Sequence, residues 1–313
     1  MNKKTSKAFT MIELIFVIVI MGILAKFGVE FLAQAYNSFI HSKINNELQG
    51  QSETAVEFVA NRLQYRIKDS VIARESNNSF NGLSGYSAGT APILEWVGSD
   101  VEGFRGDSLP YWSGVIDFVD SNATLLKSPE TNTTAIDALI KVLADNPATS
   151  TTTIDDAALY FVDSDNDVIN GYGWTFSSVL TDQNGSVIHP IKAGTNPDEF
   201  VPRIGGTTTA NTFTNVDVSD YYKLAWTAYA VGISDYNLTG ENTGTLMLYY
   251  DYQPWDGENY LSTETKSQII MQNVSTFQFM AVGSLVKIQV CVKSNLLKDE
   301  NGEYSICKEK TIY

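Results

Sequence analysis

The chain has 313 residues, 43% of them hydrophobic and 12% aromatic, which is enough to bury the core of one large domain or two modest ones. Its formal net charge of −15 would repel phosphate groups, so a nucleic-acid partner is not expected. The two cysteines, Cys291 and Cys307, stand outside any CxxC pair, and there are only two histidines. A structural zinc site is therefore not expected either.

The first element is an apolar run near the N-terminus. Residues 1–8 contain three lysines and no acid, and Phe9 to Ala25 carries Glu13 as its only charge. This length is at the short end of the ~17–25 residues that span a bilayer. Lysines before the run and a long acidic region after it favour a cytoplasmic N-terminus. We therefore expect one membrane span at residues 9–26, with the rest of the chain across the membrane from the N-terminus.

The same pattern, basic residues followed by an apolar run, also describes a cleaved secretory signal. The small-residue cleavage site that such a signal needs is not convincing here, and helical sequence continues well beyond the run. The membrane span is therefore favoured, and a secreted hydrolase with a plain signal peptide remains the alternative. It predicts cleavage beyond Ala25.

Glu13 is unusual, because a carboxylate in hydrocarbon is costly unless it is paired or protonated. The stretch Ala8-Phe9-Thr10-Met11-Ile12-Glu13-Leu14, followed by an apolar helix, resembles the N-terminus of type IV prepilins and type II secretion pseudopilins. The resemblance implies that residues 1–8 are a leader, that prepilin peptidase cuts between Ala8 and Phe9, and that Phe9 is then N-methylated. It also implies that the span lies in the bacterial inner membrane, with the N-terminus cytoplasmic and the head periplasmic before assembly into a filament. The family usually has Gly before the cut, where this chain has Ala8.

The resemblance also implies a role for Glu13 in assembly. The free amine of Phe9 on one subunit would meet Glu13 of its neighbour, and pairing offsets much of the cost of two charges in lipid. The alternative is a glutamate that reaches the interface or stays protonated. The first interpretation predicts other pilin or pseudopilin subunits as partners.

The helical pattern continues beyond the membrane. Apolar residues recur at three- and four-residue spacing from Ala55 to Val71, which predicts one long helix over residues 9–75. Residues 76–313 follow as a β-rich head. We expect an α+β protein, with the long helix packed on an antiparallel sheet as in pilins.

Short aromatic or β-branched runs separated by turn residues predict the strands of the head. A lone helix at 134–145 lies between polar loops and predicts a helical insertion around residues 120–155 rather than a separate domain. A tight hairpin turn is expected at 282–284. The predicted strands are 93–97, 114–119, 157–162, 173–180, 224–231, 245–252, 275–282 and 284–292.

Cys291 and Cys307 are close enough in the chain to close a short loop. A reduced pair is expected in the cytoplasm, and a disulfide worth ~3 kcal/mol in an oxidising compartment. The predicted membrane orientation places both cysteines where they could oxidise.

Asp163, Asp165 and Asp167 alternate as acids do in calcium loops. Val168 stands where an EF-hand needs glycine, and Trp174 stands where it needs the bidentate glutamate. The three acids therefore predict either an irregular calcium site or a solvated acidic turn.

Gly85-Tyr86-Ser87-Ala88-Gly89 fits the G-x-S-x-G nucleophile elbow, which needs a strand before it and a helix after it. Here the motif lies in a Gly/Ser/Asn loop, and only His41 and His189 could serve as a base. We expect no enzymatic activity.

A group of aromatic residues lies on one predicted strand and the loop after it, and it has two interpretations. Core packing on one face with an interface on the other is the simpler one. A contact surface for a partner is the other, and it predicts that Trp255→Ala weakens binding without lowering the melting temperature. The residues are Tyr249, Tyr250, Tyr252, Trp255 and Tyr260.

Together these features predict a non-enzymatic minor subunit of a type IV pilus or a type II secretion pseudopilus. Residues 268–294 loosely resemble the closing hairpin of J-type minor pseudopilins and W-type minor pilins. The alternative is a surface adhesin or receptor exported by the pilin route.

Overall fold

The computed structural model describes residues 10–86, 92–164, 167–176, 178–299 and 302–313. A long helix leads into a head of antiparallel β-sheets, which confirms the predicted α+β class. The helices are α1 (Met11–Leu63), α2 (Val101–Arg105) and α3 (Thr133–Ala144). The strands are β1 (Ile72–Arg74), β2 (Phe80–Gly82), β3 (Ile93–Gly98), β4 (Asp117–Asn122), β5 (Leu125–Lys127), β6 (Ala158–Phe161), β7 (Ile188–Ala193), β8 (Glu199–Pro202), β9 (Tyr222–Ala225), β10 (Thr227–Ser234), β11 (Gly244–Tyr250), β12 (Lys266–Val282), β13 (Leu285–Asp299) and β14 (Gly302–Ile312).

Helix α1 ends at Leu63, earlier than the predicted end near residue 75. Beyond it the chain leaves the helical path, because the backbone N–H of Ile67 donates to the carbonyl of Val97 on β3 at 2.9 Å. The Ser70 hydroxyl donates to the Ile67 carbonyl and accepts from the Val97 N–H. Such local side-chain bonds compete with helical ones. Ile67 and Val71 are therefore buried as predicted, but outside the helix.

The first sheet has eight antiparallel strands in the order β14-β13-β12-β11-β10-β3-β1-β2. The second half of α1 packs on one face of it, and its apolar stripe from Ile44 to Leu63 forms a core with residues such as Trp96, Leu248 and Ile288. Strands β12 and β13 are joined at Gly283, whose φ of 63° suits the tight hairpin turn that was predicted there. The second half of α1 and the first sheet are thus two packed layers with a shared core.

Residues 99–226 form an insertion between β3 and β10, which are neighbours in the first sheet. The insertion builds a second, six-stranded sheet in the order β4-β5-β8-β7-β6-β9. One face of this sheet packs on the first sheet through residues such as Ala158 and Ile188, and α3 covers the other face. The insertion is thus a sheet and a helix, larger than the predicted helical segment around 120–155. The head consists of four layers in the order α1, first sheet, second sheet, α3.

Two of the predicted strands do not form as single strands in the structure. The run 224–231 is divided between β9 and β10, which belong to different sheets, with Trp226 at the crossing. The run 173–180 forms no strand among its described residues, and Val179 makes only an isolated bridge to Asp256. Burial against the second layer explains the apolar character of 224–231, whereas in 173–180 only Gly173 and Trp174 are buried among the described residues.

Two buried ion pairs lie at the junction of the layers. Arg74 on β1 binds Glu95 on β3, and its Nη2 also donates to the carbonyl of Trp174 at 3.1 Å. Arg203 makes a bidentate pair with Asp256, with N–O distances of 2.7 and 2.8 Å. The Arg74–Glu95 pair lies within the first sheet, between neighbouring strands. The bond from Arg74 to the Trp174 carbonyl and the Arg203–Asp256 pair reach from the insertion to the first-sheet part of the chain, and they hold the two together.

Candidate assembly helix and other predicted sites

The N-terminal part of α1 projects from the head. From residue 10 to residue 39 every position is exposed, although most side chains are apolar. Within the described residues, α1 is the one helix long and apolar enough to cross a membrane, judged by length and composition. At ~1.5 Å per residue, its 53 residues extend about 80 Å. Half of this helix therefore presents an apolar surface that the head does not cover.

Glu13 lies in the first turn of α1 and is exposed. Its Oε2 accepts a bond from the Thr10 hydroxyl at 3.4 Å, and no cation pairs with it among the described residues. The nearest lysine along the described helix, Lys26, pairs instead with Glu30 at 3.9 Å. Ala8 and Phe9, the predicted processing site, lie outside the described residues. Glu13 thus has no counter-charge on the described part of its own chain.

The second half of α1 is tied to the last strand by polar contacts as well as by its apolar core. Lys308 and Lys310 on β14 reach Glu53 and Glu57 at 4.0 and 2.5 Å. The Tyr304 hydroxyl, on the same strand, donates to Asn45 at 3.1 Å. Sequence analysis missed this strand, although Tyr304, Ile306, Lys308 and Lys310 alternate with period two. The contacts fix the direction in which α1 leaves the head.

The disulfide between Cys291 and Cys307 is present in the structure, which confirms that pairing. The two cysteines are directly opposite on β13 and β14, with Cα atoms 3.9 Å apart. Because β13 and β14 carry many of the contacts to α1, the bridge cross-links the part of the sheet on which the helix rests.

The predicted calcium loop is only partly described, because Asp165 lies outside the described residues. Asp167 is exposed, and its carboxylate accepts bonds from the backbone N–H groups of Ile169 and Asn170 and from the Asn170 amide. These bonds lower the pKa of Asp167. Asp163 has a φ of 71°, as in a turn. Among the described residues, no three His, Cys, Asp or Glu side chains are grouped closely enough to hold a metal ion.

The components proposed for a nucleophile elbow are not brought together in the described part of the chain. Ser87 lies outside it, and His41 is exposed on α1. His189 is buried between Phe161 and Phe213, and its Nδ1 lies 3.1 Å from the Gln183 amide oxygen. Burial lowers the pKa of His189 to about 3, so the ring is neutral. Its role is that of a packed core residue.

The aromatic group on β11 and the segment after it belongs mostly to the core. Tyr252 and Trp255 are fully buried, and the Trp255 indole donates to the Asp156 carbonyl at 2.9 Å. Tyr249 and Tyr260 stack edge to face beside them, with ring centroids 5.5 Å apart. The partner-surface interpretation is therefore wrong for Trp255. Its replacement by alanine should lower the stability of the head, because it would leave a large cavity.

The comparisons with known proteins bear on the N-terminus. Residues 3–25 match the family model described as the prokaryotic N-terminal methylation motif. No curated protein and no solved structure matches the chain significantly. The matched residues include Glu13 and most of the exposed apolar part of α1. The chain therefore carries the leader motif of prepilins and pseudopilins, at the start of a long helix and an antiparallel head consistent with a pilin-like fold.

Proposed function

We propose that the protein is a non-enzymatic minor subunit of a type IV pilus or a type II secretion pseudopilus. Prepilin peptidase removes residues 1–8, Phe9 is methylated, and the mature chain stays in the inner membrane by α1 until it is assembled. The methylation motif over residues 3–25 supports the processing step. The observation that carries the proposal is the exposed apolar half of α1, with Glu13 in its first turn pairing with no cation in the described part of the chain.

Glu13 makes assembly favourable because its cost in lipid is relieved only in the filament. Insertion scales put an acidic side chain at the bilayer centre at roughly 3 kcal/mol. The amine of Phe9 on an adjacent subunit is the natural counter-charge, and pairing removes much of this cost from both groups. Exposed side chains such as Ile18 and Phe31 then pack against neighbouring helices in the filament core.

The size of the head argues for a minor position. The insertion adds a second sheet and α3 outside the first sheet, so the head is thicker than one helix and one sheet. A head of this thickness fits poorly along a shaft of closely stacked subunits but is accommodated near a tip. The presence of Glu13 in this chain implies that another subunit contacts the start of α1 in the filament.

Mass spectrometry of the N-terminus of the protein purified from membranes tests the processing step. We expect a mature chain that begins with N-methylated Phe9. An intact leader, or a chain cut beyond Ala25, would contradict the proposal. The second of these results would identify a secreted protein instead.

Filament incorporation tests the role of Glu13. We expect Glu13→Ala to reduce the amount in sheared filaments at least about tenfold relative to the membrane pool, since tenfold corresponds to about 1.4 kcal/mol. Glu13→Gln keeps the shape and should fail similarly. Glu30→Ala is the matched control, because it removes an acid from the same helix that already has a partner in Lys26. Normal incorporation of both Glu13 variants would refute the pairing.

A further inference from the structure

A cavity of about 480 Å³ lies where the C-terminal end of α1 meets the insertion. Its lining includes the aromatic side chains of Tyr65, Phe104, Trp112 and Tyr221. The rings of Phe104 and Trp112 contact each other, with centroids 4.9 Å apart. Phe104 is 48% exposed and Tyr221 is 60% exposed, although both are large apolar side chains. The volume is typical of a binding pocket, and the exposed rings give its mouth an apolar rim.

Three cations line the same cavity: Arg66, Lys68 and Lys223. Neither Lys68 nor Lys223 forms an ion pair with any residue that the structure describes. Burial lowers the pKa of Lys223, and the charges of Lys68 and Arg66 lower it further. Asp69 is the one acid that acts on both Arg66 and Lys223, so positive charge is in excess.

Arg66 as a whole residue is 2% exposed, and its guanidinium is incompletely satisfied. Its terminal nitrogens donate to the backbone oxygens of Leu63, Tyr313 and Ser284. Its Nε has no hydrogen-bond partner among the described residues. A buried donor without a partner is costly, and buried donors in proteins are normally satisfied.

We propose that this cavity binds a short acidic, apolar peptide segment of a partner protein. The walls accept aromatic or aliphatic side chains, and a carboxylate placed among the three cations relieves their mutual repulsion. Charge complementarity supports this choice, because the cations are concentrated here in a chain whose formal net charge is −15. That same net charge repels an extended polyanion such as nucleic acid.

The site lies at the end of α1 opposite to Glu13, some 80 Å along the helix. The peptide site does not depend on leader cleavage or on filament formation. Binding is therefore measured on the unassembled full-length protein, and its failure would leave the proposed function untouched.

Calorimetry on the full-length protein in lipid nanodiscs tests the proposal. The probe is the peptide acetyl-Asp-Phe-Glu-Leu-amide, and its uncharged analogue is acetyl-Asn-Phe-Gln-Leu-amide. We expect the acidic peptide to bind about tenfold more tightly at low salt, and its advantage to shrink as salt is raised. Tyr221→Ala, which removes an exposed part of the apolar wall, should weaken both peptides several-fold.

Charge variants localise the site. The double variant Lys68→Ala with Lys223→Ala should lower the affinity for the acidic peptide about tenfold and leave the uncharged analogue unchanged. Lys43→Ala is the matched control, because Lys43 is an exposed lysine on α1 away from the cavity. A double variant that binds the acidic peptide normally would overturn the proposal. Equal binding of the two peptides to the wild type, or full competition by inorganic phosphate, would overturn it as well.

Discussion

The buried pair of Arg74 and Glu95, on neighbouring strands of the first sheet, offers a sharp test of how buried charge is stabilised in the head. Glu95 is fully buried on β3, where it is bound by Arg74 and accepts from the Tyr252 hydroxyl at 3.2 Å. Burial raises the pKa of Glu95, and Arg74 is the main group that opposes this rise. Replacing Arg74 with methionine keeps most of the volume but removes the cation.

The cost of Arg74→Met follows from the proton equilibrium of Glu95. Without its cation the buried carboxyl becomes protonated, whereas in the unfolded chain it ionises with a pKa of about 4.3. Protonating it at pH 7 costs about 4 kcal/mol, within the range for breaking a buried pair. The folded variant binds more protons than the unfolded one between about pH 4.3 and pH 7, so its stability falls as the pH rises. The penalty should therefore be largest at pH 7 and should shrink by several kcal/mol near pH 4.5.

Chemical unfolding of the full-length protein in detergent, followed by tryptophan fluorescence, measures this penalty relative to the wild type. The double variant Arg74→Met with Glu95→Met removes the carboxyl as well, and it should recover about 2 kcal/mol or more at pH 7. Tyr252→Phe is a control that removes one bond to Glu95 but keeps the ion pair. A penalty that is the same at both pH values, or a double variant no more stable than Arg74→Met, would refute the reasoning.

Three further predictions concern stability, pH and calcium. Reducing the bridge between Cys291 and Cys307 should lower the free energy of unfolding by ~3 kcal/mol, and an unchanged unfolding midpoint with dithiothreitol would contradict this. Burial raises the pKa of Asp100 to about 6, so the folded state binds the extra proton. Stability of the wild type relative to Asp100→Asn should therefore rise by about 2 kcal/mol from pH 7.5 to pH 4.5, and parallel pH profiles would exclude it. Calorimetry with millimolar calcium should show no saturable heat, because both oxygens of the Asp167 carboxylate already accept hydrogen bonds. A saturable heat that is lost in Asp163→Asn would establish a site instead.

Several strands with a clear apolar pattern were predictable, whereas β7 and β14 were not. The runs at β3, β11 and the β12–β13 hairpin are rich in aromatic and β-branched residues, and they form strands as expected. Strand β7 was missed because Pro190 lies within it, and a proline argues against a central strand. The Gln183 side-chain amide and the backbone N–H of Arg203 donate to the Pro190 carbonyl. These two bonds help to hold the segment in the sheet.

The cavity lined by Lys68 and Lys223 could not be predicted from the sequence, because these two lysines are distant along the chain. Lys68 follows α1, whereas Lys223 lies on β9 at the end of the insertion. Neither lysine belongs to a motif. They become neighbours only because the insertion returns its last strand beside the first sheet, where β10 begins.

By itself the sequence determined the features that depend on neighbours along the chain. These are the leader motif, the apolar helix with Glu13, and the short spacing of Cys291 and Cys307 that allows a disulfide in an oxidising compartment, since helix periodicity and short-loop closure act over a few residues. Only the tertiary structure decided where α1 stops, that residues 99–226 form a second layer, and which buried charges meet. Those outcomes depend on long-range burial, which no local pattern encodes.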